Sequence, residues 1–109
     1  MSKVSFRDLI AKMTTAFDFR AADNLAATIQ FRVTGKEPGN YYLHIENDKC
    51  AFHEGVAESP TATIHTPSEV WIAITSGEMD AALAYIQGKF RVEGDKGLLL
   101  KMRELFKRE

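Results

Sequence analysis

The chain has 109 residues, of which 45% are hydrophobic and 27% charged, and a formal net charge of −1. That length suits one domain, residues 1–109, with a core of its own, and the near-neutral balance excludes a protein held to nucleic acid by bulk charge. The single cysteine, Cys50, excludes an intrachain disulfide and fits a reducing compartment.

At the N-terminus, MSKVSFRDLIAK lacks the continuous apolar run of a secretory signal. No stretch approaches the 18 or so apolar residues of a membrane span. The C-terminal FKRE is not a peroxisomal SKL-type address. The expected location is the cytoplasm.

Phe6, Leu9, Ile10, Met13 and Phe17 recur at helical spacing and predict a first helix from Ser5 to Ala16. Phe17 to Asn24 reads as a connector with room for one helical turn. Ala27 to Thr34 alternates, with Ile29, Phe31 and Val33 on one side and Thr28, Gln30 and Arg32 on the other, as a half-buried strand does. Gly35 to Asn40 carries Pro38 and Gly39 and is read as a turn.

Tyr41 to Glu46 and Lys49 to Glu54 predict a hairpin closed by Asn47-Asp48. The register opposes Ile45 to Cys50, Leu43 to Phe52, His44 to Ala51 and Tyr42 to His53. After a loop from Gly55 to Pro60, Thr61 to His65 is a fourth strand with Ala62 and Ile64 inward. Thr66 or Ser68 can cap a helix that runs through Ser76 and stops at Gly77. A second short helix is expected from Glu78 to Tyr85. Val70, Trp71, Ile74, Met79, Ala82, Leu83 and Ile86 supply the apolar side of the pair. A fifth strand, Lys89 to Glu93, points Phe90 and Val92 inward. Asp95 suits the N-cap of a last helix from Lys96, whose stripe is Leu98, Leu99, Met102, Leu105 and Phe106.

Helix, four strands, two short helices, strand and helix is a segregated α+β order, in which one sheet face meets helices. The other face, with Gln30, Arg32, His44, His53 and His65, is expected to be wet.

Chemistry is sparse. The three histidines share a flat polar face, which supplies neither tetrahedral convergence nor supporting contacts for a metal, so none is expected. Cys50 sits on the inward face and reads as a small buried hydrophobe rather than a reactive thiol. No Ser-His-Asp order, GxSxG elbow, P-loop or GxGxxG is present. The Gly94-Asp95-Lys96-Gly97 corner could hold a phosphate at a helix N-terminus, but Asp95 would occupy the same N–H groups and repel an anion. In the basic tail, Lys101, Arg103, Lys107 and Arg108 suit the negative end of a helix or an anionic lipid surface. The supply of Met13, Met79, Met102, Phe31, Phe52, Phe90, Phe106 and Trp71 is mostly core, and is also the kind of soft lining that an adaptable apolar pocket uses.

The stretch Ala84-Tyr85-Ile86-Gln87-Gly88-Lys89-Phe90-Arg91-Val92-Glu93-Gly94-Asp95, followed by Leu98-Leu99-Leu100-Lys101, resembles the C-terminal signature of the sterol carrier protein 2 (SCP-2) sterol-binding domain. Ala27 to Gly35 looks like that family's first strand and turn, and Thr61 to Ile64 like its fourth strand. The likeness runs from Phe6 to Phe106. It departs at Lys96 and Gly97, where an apolar residue is common, and at Ile86, where an aromatic is frequent.

The resemblance implies a stand-alone SCP2-like domain, a five-stranded twisted sheet with helices packed on one face and an apolar cavity between sheet and helices. There it would bind a fatty acid, acyl-CoA, sterol or phospholipid, without catalysis and without a cofactor. The lining it implies is Trp71, Ile74, Met79, Leu83, Phe90, Leu99, Met102 and Phe106, with Gln87 as a polar anchor for a head group. The last helix and the Val70 to Ile86 helices would form a lid. Expected partners are the lipid itself and, transiently, a membrane; the domain is expected to be a monomer. A second reading is an accessory or scaffold domain for a lipid- or quinone-processing enzyme, using the wet sheet face or an edge strand. Enzymatic activity is not expected, because the implied lining offers only Gln87 and Cys50 as reactive groups.

Overall fold

The computed structural model describes residues 5–106. The elements are α1 (Phe6–Met13), a 3-10 turn (Thr14–Ala16), α2 (Phe19–Ala22), β1 (Ala27–Thr34), β2 (Gly39–Glu46), β3 (Lys49–Glu54), β4 (Ala62–Pro67), α3 (Ser68–Ser76), α4 (Ala81–Ile86), β5 (Arg91–Gly94) and α5 (Lys96–Leu105). Lys107 and Arg108 of the basic tail lie outside the described residues.

Alternation in the strands sets the sheet. Its order is β3-β2-β1-β4-β5. β1 runs parallel to β4 and every other neighbouring pair is antiparallel. The hairpin register is the expected one, Ile45 to Cys50 and Leu43 to Phe52. Asn47 and Asp48 both take positive φ, 54° and 61°, the turn whose twist matches a two-residue hairpin. Asparagine and aspartate tolerate that region better than other side chains.

Ile29, Phe31, Leu43, Ile45 and Ile64 are buried on one face beneath the helices. Phe6 and Ile10 of α1 are equally buried and cover the β2–β3 side, where Phe6 meets Tyr41 at 6.0 Å. Ser5 caps α1 by accepting from the Asp8 N–H, and Arg7 pairs with Glu54 of β3. Toward the other side, α5 lays Leu98, Met102 and Leu105 on the core, capped as expected by Asp95, which accepts from the Gly97 N–H.

Several expectations shift. The first helix tightens into a 3-10 turn after Met13, as helix ends commonly do. β4 continues to Pro67, which itself sits at the N-cap of α3. Neither Thr66 nor Ser68 caps that helix. The Thr66 hydroxyl donates to the Pro67 carbonyl, and the Ser68 hydroxyl donates to Glu69 while accepting from the Glu37 N–H. α4 starts three residues late because Asp80 accepts from the Leu83 N–H and so fixes the first turn there. β5 starts at Arg91, since the Lys89 N–H is already committed to the Ala84 carbonyl.

The outer sheet face is not uniformly wet. Gln30 is 1% exposed. Its amide donates to the carbonyls of Tyr41 and Gly55, and its oxygen accepts from the Ala57 N–H. The loop after β3 therefore folds over this face and is stitched down by one side chain. Alternation alone cannot distinguish a solvated polar residue from one that satisfies a buried loop.

Candidate functional site

α5 presents Leu99, Met102, Arg103 and Phe106 at i, i+3, i+4 and i+7, which places them along one stripe. α3 presents Trp71, Ile74 and Thr75. Between the two, the connector from Gly77 to Asp80 is held by Glu78 and Met79, whose N–H groups both donate to the Ala73 carbonyl. Met13 and Ala16 approach from the end of α1 and its 3-10 turn. These elements line an open-sided cavity of about 480 Å³. That volume lies within the roughly 300–1,000 Å³ of small-molecule sites.

One wall is pinned. The Asp18 N–H donates to the Leu105 carbonyl at 2.7 Å, and the Phe17 ring packs at a tilt against Phe106 with centroids 5.7 Å apart. The end of α5 is thereby tied to the connector before α2. The floor is aromatic: Trp71 meets Phe31 at 5.3 Å and Phe90 at 5.9 Å, both near edge-on. The Trp71 indole N–H is buried and has no hydrogen-bond partner among the described residues. Leaving such a donor unpaired costs about 1–3 kcal/mol.

Of the residues that the resemblance implied for the site, Trp71, Ile74, Met79, Leu99, Met102 and Phe106 come together around this cavity. Leu83, Gln87 and Phe90 do not line it. Leu83 is 53% exposed on the outer side of α4, which buries Ala84 instead. Gln87 is the exposed C-cap of α4. Phe90 is buried in the core under Trp71 and Tyr85, a layer below the lining. In α4 the side turned to the core carries Ala84, which leaves Leu83, Ile86 and Gln87 exposed.

The lining residues that the sequence reading missed are Met13, Ala16, Thr75, Gly77, Asp80, Ala81 and Arg103. Arg103 carried a legible signal: it stands inside the apolar stripe of α5, between Met102 and Phe106. It is exposed at the rim and makes no ion pair among the described residues. Asp80 is the carboxylate of the lining, held by its capping bond to α4.

The reactive groups considered from sequence lie elsewhere. Burial pushes the Cys50 thiol up to about 12, so it stays protonated and inert at neutral pH. Cys50 sits on β3, outside the cavity lining. His44 lies 2.9 Å from both Thr28 Oγ1 and Glu46 Oε1, His65 lies 2.7 Å from Glu93 Oε1, and His53 stacks on Tyr42. Among the described residues no three metal-ligating side chains converge. No described helix is long and apolar enough to cross a membrane.

The model of the SCP-2 sterol transfer family matches residues 11–107. The chain belongs to this family. Hydroxysteroid dehydrogenase-like protein 2 of Xenopus laevis is 31% identical over 77 residues, a match covering 70% of this chain and 18% of that protein. The SCP-2 unit thus spans under a fifth of the curated relative it matches. Sterol carrier protein 2 like 2 from Aedes aegypti has the same fold, with a TM-score of 0.74 at 22% identity over 92% of each chain. The solution structure of palmitated SCP2L2 from the same mosquito gives a TM-score of 0.73 at 21% identity, covering all of this chain and 97% of that one. A double mutant of the sec-alkyl sulfatase PisA1 gives 0.86 at 16% identity, over 97% of this chain and 17% of that one. The SCP-2 fold accordingly occurs both as a small protein and as a minor part of much longer chains.

Proposed function

We propose that this SCP-2 family member binds the hydrocarbon portion of a lipid, such as a fatty acid, acyl-CoA, sterol or phospholipid, in the cavity between α1, α3 and α5, and that it does so without catalysis. The observation that carries the reading is the cavity itself, about 480 Å³ of space bounded by Met13, Trp71, Ile74, Met79, Leu99 and Met102. Burial of a methylene is worth about 0.8 kcal/mol, so a 16-carbon chain gains on the order of 10 kcal/mol before ordering costs. A bilayer offers a similar gain, so exchange between protein and membrane is close to balanced and needs no chemical step.

Arg103 is the natural partner for an anionic head group at the rim. An unpaired guanidinium binds a carboxylate through two parallel N–H donors. Asp80 lines the same cavity and disfavours an anion on its own side, which orients the head toward α5. The palmitated mosquito relative supports a fatty acyl guest for this lining.

The test is titration of the delipidated protein with palmitate, followed through Trp71, the only tryptophan of the chain. Trp71 forms the cavity floor, so a guest changes its surroundings directly. Saturable change at micromolar palmitate supports the reading. Absence of saturation with palmitate, an acyl-CoA, a sterol and a phospholipid alike removes it.

A second reading is favoured by the lengths of the relatives. In the frog protein and the sulfatase the matched unit is 18% and 17% of the whole. An SCP-2 domain in that setting would present a lipid to a catalytic partner or simply pair with it. Co-purification of one stoichiometric enzyme, with no lipid bound, would favour this over a free carrier.

A further inference from the structure

A second concavity lies on the opposite side of the sheet from the lipid cavity, and no lipid need enter it. Cross-strand pairing puts Asn40, Arg32, His65 and Arg91 in one row across β2, β1, β4 and β5. These four side chains line a groove of about 430 Å³, bounded at one end by Thr66 and Pro67. Strands are about 4.8 Å apart, so the two arginines rise from positions roughly 10 Å apart with His65 between them. Guanidinium groups on such stems can converge over the imidazole.

The row is rich in positive charge, with Arg32 and Arg91 on either side of His65. Arg32 has no hydrogen bond or ion pair among the described residues, and Arg91 reaches Glu93 only at 3.8 Å. Glu93 is mainly engaged by His65, 2.7 Å away, which holds its carboxyl below the ordinary glutamate range. Two arginines therefore share the fringe of one carboxylate. On this face Thr63 of β4 and the buried Gln30 of β1 are neutral, and Glu93, opposite Thr63 in β5, is the carboxylate beside the row. The positive charge is concentrated at the groove.

We propose that this groove binds a small phosphate-bearing anion from solution. Phosphate fits better than a carboxylate, because two forked guanidiniums offer more directed N–H donors than two carboxylate oxygens can accept in one plane, whereas a tetrahedral oxyanion accepts from both sides. Asn40 adds an amide donor at the end of the row. Glu93 is the opposing group: it repels the anion and competes for Arg91. The proposal does not rest on the lipid reading and would stand or fall separately.

The experiment is a titration of ¹⁵N-labelled protein with inorganic phosphate and with pyrophosphate, against potassium chloride at matched ionic strength. The expected result is saturable shifts confined to the amides and arginine Nε–H groups around Asn40 of β2, Arg32 of β1, His65 of β4 and Arg91 of β5, with a Kd of about 1 mM or tighter for pyrophosphate. Arg32→Ala and Arg91→Ala should each weaken that binding about tenfold. Glu93→Gln should tighten it. Both arginine variants should keep a melting temperature close to the wild-type value without anion, since both side chains are exposed. Equal shifts with chloride, or unchanged affinity in both arginine variants, would overturn the proposal.

Discussion

Filling the cavity from the protein side should raise stability and lower lipid affinity together. Ala81 is the first residue of α4, half-buried, and lines the cavity. Ala81→Leu adds three carbons directed at that space, and leucine is nearly as good a helix former as alanine, so local propensity contributes little. Three carbons at about 0.8 kcal/mol each give roughly 2.4 kcal/mol of added burial. Fixing a leucine side chain costs about 0.5–1 kcal/mol. The net gain is about 1–2 kcal/mol, which in a domain of this size raises the melting temperature by about 4–10 °C. The same carbons exclude about three methylenes of a guest, so palmitate affinity should fall by roughly fiftyfold. Thermal denaturation and Trp71 fluorescence titration read the two effects on one preparation. A variant that melts lower than wild type and binds palmitate equally well would refute the reasoning, because it would mean that the space is already filled by packed side chains.

The other expectations separate rim, core and surface. Arg103→Met should bind hexadecanol as wild type does but lose the wild-type preference for palmitate over hexadecanol, about tenfold, in the same titration; an undiminished preference would remove Arg103 as the head-group partner. Phe90→Ala should cost about 3–5 kcal/mol in urea unfolding, since Phe90 is 4% exposed and packed under Trp71, whereas Leu83→Ala on the exposed side of α4 should stay within about 0.5 kcal/mol and leave lipid binding intact. The Glu93 carboxyl is depressed by its bond from His65, so the unfolded chain takes up that proton first as pH falls. This contribution is complete above the ordinary glutamate range and is lost on going down through the folded value. His65→Ala should therefore lose less stability than wild type between neutral and acidic pH when urea midpoints are compared, and an equal loss would show that the pair contributes nothing to folding.

Strand-level structure was legible because period-two alternation has one solution. β1 and the register of the β2–β3 hairpin follow directly from Ile29, Phe31 and Val33 and from a two-residue turn at Asn47-Asp48. The last helix was legible from Asp95 and its leucine stripe. What stayed hidden depends on distant partners. Gln30 looks like any outward polar residue until the loop at Gly55 to Ala57 closes on it. The parallel pairing of β1 with β4 links segments over thirty residues apart, and no local pattern specifies it.

The site was half legible for a related reason. Trp71, Ile74, Leu99 and Met102 lie on α3 and α5, nine and ten residues long, whose apolar positions the resemblance assigns to the lining. α4 is six residues long, too short for periodicity to fix its phase, and Asp80 rather than Glu78 starts it. The packed side of α4 is Ala84, so Leu83 and Ile86 face solvent and Gln87 stands outside the lining. Met13 and Ala16 belong to a different end of the sequence and reach the cavity only through tertiary packing. Arg103 suits a helix terminus by charge alone, and only its place within the apolar stripe distinguishes it from Lys101 and Glu104.

The most direct measurement is methyl NMR of the delipidated protein titrated with palmitate. A guest between α1, α3 and α5 should shift the methyl groups of Met13, Ile74, Met79, Leu99 and Met102 together along one saturable curve, while those of Ile45 and Leu43 beneath α1 stay in place. Methyl shifts that never saturate, or that spread evenly over the sheet core and spare these five, would contradict a hydrocarbon guest in this space.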